Sequence, residues 1–187
     1  MTTKSDLLAI AVTALTGTTD AGSKVWTRRD QSTSDDDYPC LFVTMPLSEQ
    51  GESFGRNGAP AFTVTASLMV EARVAAPGGD DDLGAEIVYQ KLCALRDQIK
   101  RAVINYGPLM SQLQQFPFFK VEEKDAPGDS RLHIGAILVE IGMEFVQSAE
   151  DFYQPQTAPL QGFDVTVQQP EGTVEPIFSI DLPQTIS

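Results

Sequence analysis

The residues able to do chemistry are few, and their spacing is poor for it. His133 is the sole histidine, so a zinc site, a Ser-His-Asp triad and a Cys-His pair have at most one imidazole to share. It lies between Leu132 and Ile134 at the mouth of an apolar run, the setting of a half-buried structural histidine. Cys40 and Cys93 sit in separate apolar segments, which makes a disulfide framework improbable. Asp80-Asp81-Asp82 could offer oxygen ligands to a divalent cation, but an acid run before an apolar-periodic segment reads first as a helix start, where it suits the dipole. Asp35-Asp36-Asp37 has no calcium-loop spacing and reads as a solvated turn. The glycines of GESFGRNG (51, 55 and 58) fit neither the phosphate loop nor the dinucleotide fingerprint. No catalytic, cofactor-binding or metal-binding residue is therefore assigned, and the chain is expected not to be an enzyme.

Charge leaves interaction surfaces as the other candidates. Among 187 residues, 13 are Lys or Arg and 26 are Asp or Glu, a net charge of −13. That balance disfavours free DNA or an anionic membrane as partner, because both demand clustered cations. Against this field Trp26-Thr-Arg28-Arg29 sets two cations beside an aromatic, and Lys100-Arg101 sets two more near a helix end. Edge-strand arginines meeting an acidic patch on a neighbouring subunit fit the overall charge better than nucleic acid does. No apolar run reaches the length of a membrane span, and Met1-Thr-Thr-Lys-Ser-Asp lacks the layout of a secretory signal, so synthesis in the cytoplasm is expected.

The elements that must carry these residues follow from periodicity. Residues 5–15 read as a short helix, capped by Ser5 or Asp6 and stopped by Gly17. Lys24–Arg29 and Pro39–Met45 read as strands, and Pro46–Pro60 as an exposed, mobile loop. From Phe62 to Val74, seven apolar residues alternate with Thr63, Thr65, Ser67, Met69, Glu71 and Arg73. This predicts one long strand with a buried and a wetter face, too long not to bend or project. A long helix runs from Asp80 to about Ile104, with Leu83, Ile87, Val88, Leu92, Leu95, Ile99, Ala102 and Val103 on one stripe. Phe116–Val121, a charged tip at 122–129, and Leu132–Val146 complete a hairpin. Residues 147–187 hold six acids, no Lys or Arg, and five of the twelve prolines. Phe163–Val167 and Ile177–Leu182 are strand candidates within that arm, and deleting 148–187 should leave the body folded. The fold expected is α+β: a mostly antiparallel or mixed sheet with two helices packed on one face (residues 1–147), plus a C-terminal acidic arm able to form a β-hairpin (148–187).

With those residues set out, the chain resembles a known family. A short helix precedes Ala21-Gly-Ser-Lys-Val-Trp-Thr-Arg-Arg and Tyr38-Pro-Cys-Leu-Phe-Val. The long strand ends in Glu71-Ala-Arg-Val, an acid-led helix follows, and the chain returns through a last strand. Over about residues 5–147 this is similar to the tail terminator proteins of long-tailed bacteriophages, the group that includes the lambda minor tail protein U. The resemblance implies an α/β fold with a mixed sheet and a homohexameric ring at the head-proximal end of the tail tube. Such a ring stops tube polymerisation and joins tail to head, so the protein would be a structural component of the virion tail or neck. Implied partners are further copies of the chain, the tail tube protein and the head-completion proteins, with DNA only as transiting cargo. The acidic arm from Gln147 departs from the shorter members. Arg28, Arg29, Phe54, Arg56, Glu71, Arg73, Lys100 and Arg101 are the candidate subunit and tube contacts. The alternatives are a head–tail connector or stopper protein of the neck and, from another class, a small acidic ligand-binding or enzymatic α+β domain using Asp164, Glu140 and Glu144.

Overall fold

Thr3 and Asp6 start the first helix by satisfying each other's backbone. The Thr3 hydroxyl accepts from the Asp6 N–H, and the Asp6 carboxylate accepts from the Thr3 N–H, a capping box that opens helix α1 (Lys4–Leu15). The cap is thus Thr3, not Ser5 or Asp6, and Asp6 serves from the third helical position. Thr16 closes the helix and Gly17 follows with φ 75°, a backbone conformation that glycine adopts without strain. The computed structural model describes residues 2–29, 32–54, 60–78, 83–124, 132–152, 162–166 and 177–181. They divide into two compact units, 1–152 and 153–187, so residues 148–152 belong with the first.

The first unit holds one six-stranded sheet. In chain order its strands are β1 (Val25–Trp26), β2 (Cys40–Thr44), β3 (Gln50–Phe54), β4 (Ala61–Pro77), β5 (Phe119–Lys124) and β6 (Leu132–Gln147). They lie side by side as β1-β2-β4-β6-β5, with β3 also paired to β4. Only β1 and β2 run parallel; the other pairs are antiparallel. The strand expected over Lys24–Arg29 shrinks to two residues, which leaves Arg28 and Arg29 beyond its end.

The long strand needs no free overhang, because partners flank it on both sides. β6 pairs with it from Phe62 to Pro77, while β2 covers Met69–Arg73 and β3 covers Ala61–Thr65 on the opposite edge. Between the pairs Thr44↔Met69 and Gln50↔Thr65 one chain advances six residues and the other four, so β2 and β3 are one interrupted strand with two extra residues looped out. Lys4 of α1 holds that excursion: its Nζ donates to the carbonyls of Pro46 (3.1 Å) and Leu47 (2.6 Å) and pairs with Glu49 at 3.3 Å. The segment read as a loop therefore contains a strand, exposed along its whole length.

Alternation sorts the sheet into two faces. Val64, Ala66, Leu68, Val70, Ala72, Val74 and Ala76 are all buried and stand opposite Phe145, Met143, Ile141, Val139, Ile137, Gly135 and His133 of β6. Helix α2 (Leu83–Ile104) lays Val88, Leu92, Leu95, Ile99 and Val103 on this face, and α1 adds Leu7, Ala11 and Leu15 to the same core. Leu83, placed on the buried stripe by periodicity, is exposed in the first turn. Close approach of helix to sheet is permitted by glycine: a Cβ at Gly84 would overlap the His133 ring and stand 2.9 Å from the Pro77 carbonyl. Two single-turn helices follow, α3 (Gly107–Met110), which buries Leu109, and α4 (Ala149–Phe152), whose Phe152 meets Phe62 edge to face at 5.6 Å. The fold of the first unit is α+β, with the helices against one face of a mixed, mainly antiparallel sheet.

In the second unit, β7 (Gly162–Thr166) and β8 (Ile177–Asp181) pair antiparallel as a two-stranded hairpin. Among the described residues no helix is long and apolar enough to cross a membrane.

Candidate functional site

The face of the sheet that turns away from the core helices carries the most structured polar cluster. Register places it there: Trp26 of β1 stands beside Phe42 of β2, and Phe42 stands opposite Glu71 of β4, so the three side chains form a row across three strands. Arg73, two residues beyond Glu71, projects on the same side and is paired with Cys40. The Trp26 and Phe42 rings are 5.5 Å apart and tilted by 49°. Each end of this aromatic pair carries a guanidinium, Arg29 at 4.3 Å from the Trp26 ring and Arg73 at 4.6 Å from the Phe42 ring. Each cation–ring contact stabilises by about 0.5–1 kcal/mol at an accessible site.

Carboxylates and hydroxyls fix the two cations. Arg73 donates from Nε to Glu71 at 2.6 Å and from Nη1 to the Thr33 hydroxyl at 3.1 Å. Arg29 donates to Asp37 at 2.9 Å. The Asp37 carboxyl is held down at about 2, first by the Ser34 backbone N–H donating to it at 2.9 Å, and then by Arg29. The same carboxylate closes a one-turn 3-10 helix, Asp35–Asp37, which Lys24 ties to β1 by donating to the Asp36 carbonyl at 2.5 Å. Asp35-Asp36-Asp37 is thus a turn whose last member anchors an arginine. Below the row, burial drives the Cys40 thiol up to about 11, which keeps it protonated and unreactive.

These groups line an open cleft of about 510 Å³ formed by Thr27, Arg28, Arg29, Ser32, Thr33, Phe42, Thr44, Glu71 and Arg73. Of the eight residues singled out by sequence, the structure brings together Arg28, Arg29, Glu71 and Arg73. Arg28 has no hydrogen bond or ion pair among the described residues, and it is exposed. Three guanidiniums meet Glu71 at the cleft, and Asp37 pairs with one of them from the acidic turn Asp35–Asp37, within a chain of net charge −13. Guanidiniums set over an aromatic ring can receive a carboxylate or other anionic group by charge-assisted, forked hydrogen bonds.

The remaining candidates lie elsewhere. Phe54 ends β3, 48% exposed. Lys100 pairs with Asp97 at 3.4 Å and sits 5.1 Å from the Phe119 ring, and Arg101 is exposed in the last turn of α2. Arg56 and Asp80–Asp82 lie outside the described residues. Glu140 accepts from the Ser67 hydroxyl at 2.7 Å and Glu144 from the Gln115 amide at 2.9 Å, both on β6, whereas Asp164 belongs to the second unit. His133 is half-buried beneath Gly84. Among the described residues no cluster of three or more His, Cys, Asp or Glu could hold a metal ion. Sequence reasoning missed Phe42, Asp37 and Thr33. The doublet Trp26…Arg29 signals the cluster, but parallel pairing of β1 with β2 is a long-range choice that leaves no local trace.

No protein-family model matches the chain, and no curated protein matches it.

Proposed function

We propose that this chain is a structural protein of a phage virion, a tail terminator that associates into a ring at the head-proximal end of the tail tube. The ring ends tube polymerisation and offers the surface on which the head joins. The observation that carries this reading is the asymmetry of the sheet. One face is sealed by α1 and α2, while the other presents a cation–aromatic row beside Arg28, which has no partner among the described residues, on an otherwise acidic protein. Ordered side chains with unused hydrogen-bond donors suit a contact surface, since they lose little freedom when a partner arrives. A closed ring needs two different patches on each subunit. The sheet order supplies opposite edges, with the arginines by β1 at one and the exposed Phe119 of β5 at the other. With the single-turn helices set aside, the element order over the first unit is α-β-β-β-β-α-β-β, the order on which the resemblance rests with β3 added.

Electron microscopy of the purified protein mixed with tail tubes tests the proposal. Rings seated on tube ends are expected. A strict monomer that leaves the ends bare contradicts it, and preferential binding to portal-filled heads moves the protein to the connector role.

A further inference from the structure

We infer that β3 of one copy of this chain pairs with β5 of the next, so that the sheets of neighbouring subunits join edge to edge. The inference rests on the self-association proposed above and names the strands that carry it. Both are edge strands: among the described residues β3 pairs only with β4 and β5 only with β6, and both are exposed along nearly their whole length. An open edge of this kind is a template for another chain. β3, β4, β6 and β5 lie in that order and each neighbouring pair is antiparallel, so β3 and β5 run in opposite directions. Copies in the same orientation about a ring axis therefore meet there as an antiparallel pair, as a head-to-tail contact that closes requires.

Backbone bonds fix the register. The Gly142 N–H donates to the Phe118 carbonyl at 2.9 Å, so Phe118 is turned to β6. By alternation Lys120 and Glu122 are too, which leaves the N–H and C=O groups of Phe119, Val121 and Glu123 pointing outward. At the other edge the Leu41 N–H donates to Lys24 at 2.9 Å, towards β1, so Phe42 and its partner Glu71 are turned to each other. The same alternation along β4 turns Thr63 to Glu52, and Gly51 and Ser53 point outward. Setting Gly51 against Val121 and Ser53 against Phe119 matches the outward groups of the two edges. That register brings Gln50 opposite Glu122, Glu52 opposite Lys120, and the half-exposed Phe54 opposite the half-exposed Phe118. These side chains share the face turned away from the core helices, since their rows run through Thr63, Met69 and Glu71 of β4. Opposite charges and paired aromatics across a ladder stabilise it. A slip of two residues one way sets Glu52 against Glu122, and the other way sets Ser53 against Pro117, which has no N–H to give. Two-fold pairing of β5 with itself is the competing contact, and it leaves the edge of β3 bare.

The test is disulfide trapping in the full chain carrying Cys93→Ser, which removes the half-exposed thiol. In this register Glu52 and Lys120 form a non-hydrogen-bonded pair with Cα atoms about 4.5 Å apart, within disulfide reach. Inside one chain β4 and β6 hold them three strand spacings apart, roughly 14 Å, so an internal bridge is excluded. Glu52→Cys and Lys120→Cys proteins are mixed in equal amounts, oxidised with copper–phenanthroline and mapped by mass spectrometry, with sedimentation velocity run before oxidation. The 52–120 bridge is expected at roughly ten times the yield of Ser53→Cys mixed with Lys120→Cys, whose side chains take opposite faces. Without added cysteines, Glu52→Lys should weaken association roughly tenfold, and Lys120→Glu in the same chain should restore it. A Val121→Cys protein bridging to itself, in place of the 52–120 bridge, would make β5 pair with β5 and overturn the inference. An oligomer without the 52–120 bridge overturns it as well and leaves ring formation standing, whereas a strict monomer removes both.

Discussion

Asp37 gives the site a pH signature. Its carboxyl titrates at about 2 in the folded protein against an ordinary 3.8, because the Ser34 N–H and Arg29 favour the charged form. The stability this contributes is complete above about pH 4 and is lost as pH falls towards 2. Asp37→Ala should therefore unfold at a lower temperature than the parent at pH 6, and the gap should close between pH 4 and pH 2; a gap constant across that range contradicts the assignment. Thiol chemistry offers a second check at the same scale. Cys40 is buried with its thiol raised to about 11, while Cys93 is half-exposed on α2. Titration with a thiol reagent at pH 8 should modify one cysteine in the native protein and the second only after denaturation. Residue identity made Arg28, Arg29, Glu71 and Arg73 conspicuous in the sequence, since the first two follow closely on Trp26 and the last two interrupt an apolar strand. Phe42 was not conspicuous, because nothing in Pro39–Met45 reveals which face it takes until β2 is paired with β4.

The elements were legible wherever burial enforces a period. The alternation from Phe62 to Val74 specifies β4, and the 4-4-3-4-4 spacing of Gly84, Val88, Leu92, Leu95, Ile99 and Val103 specifies the inner stripe of α2. β3 escaped because Gln50-Gly-Glu-Ser-Phe is exposed on every residue and owes its strand form to pairing with β4 rather than to any pattern of its own. The α1 cap was misplaced by two or three residues because Ser5 and Asp6 are themselves good capping types, and only the reciprocal bonds pick out Thr3. Packing of α2 on the sheet yields a prediction at this scale. Gly84→Ala gains up to about 1 kcal/mol of helix propensity but forces a Cβ against the His133 ring and the Pro77 carbonyl. The backbone carbonyl cannot yield easily, so overpacking wins and a net loss of about 1–2 kcal/mol is expected in urea unfolding. A variant as stable as the parent would show that α2 can lift away from the sheet.

At the scale of the whole molecule, charge and shape act together. A net charge of −13 makes identical subunits repel, so stable association requires local complementarity strong enough to offset that field. In the proposed ring the arginine cleft on the open side of the sheet would be one such contact, and the continuous core of the first unit would be its frame. Fold class and helix placement were readable from the sequence, because apolar periodicity alone determines which faces must be covered. Assembly was not, since it depends on surfaces whose residues satisfy no internal period. Mass photometry of the purified full-length protein, in low salt and without tubes or heads, tests the central claim most directly. Self-association into a closed ring predicts a discrete species at six times the 20.3 kDa chain mass, and a single population at one chain mass across micromolar concentrations would contradict it.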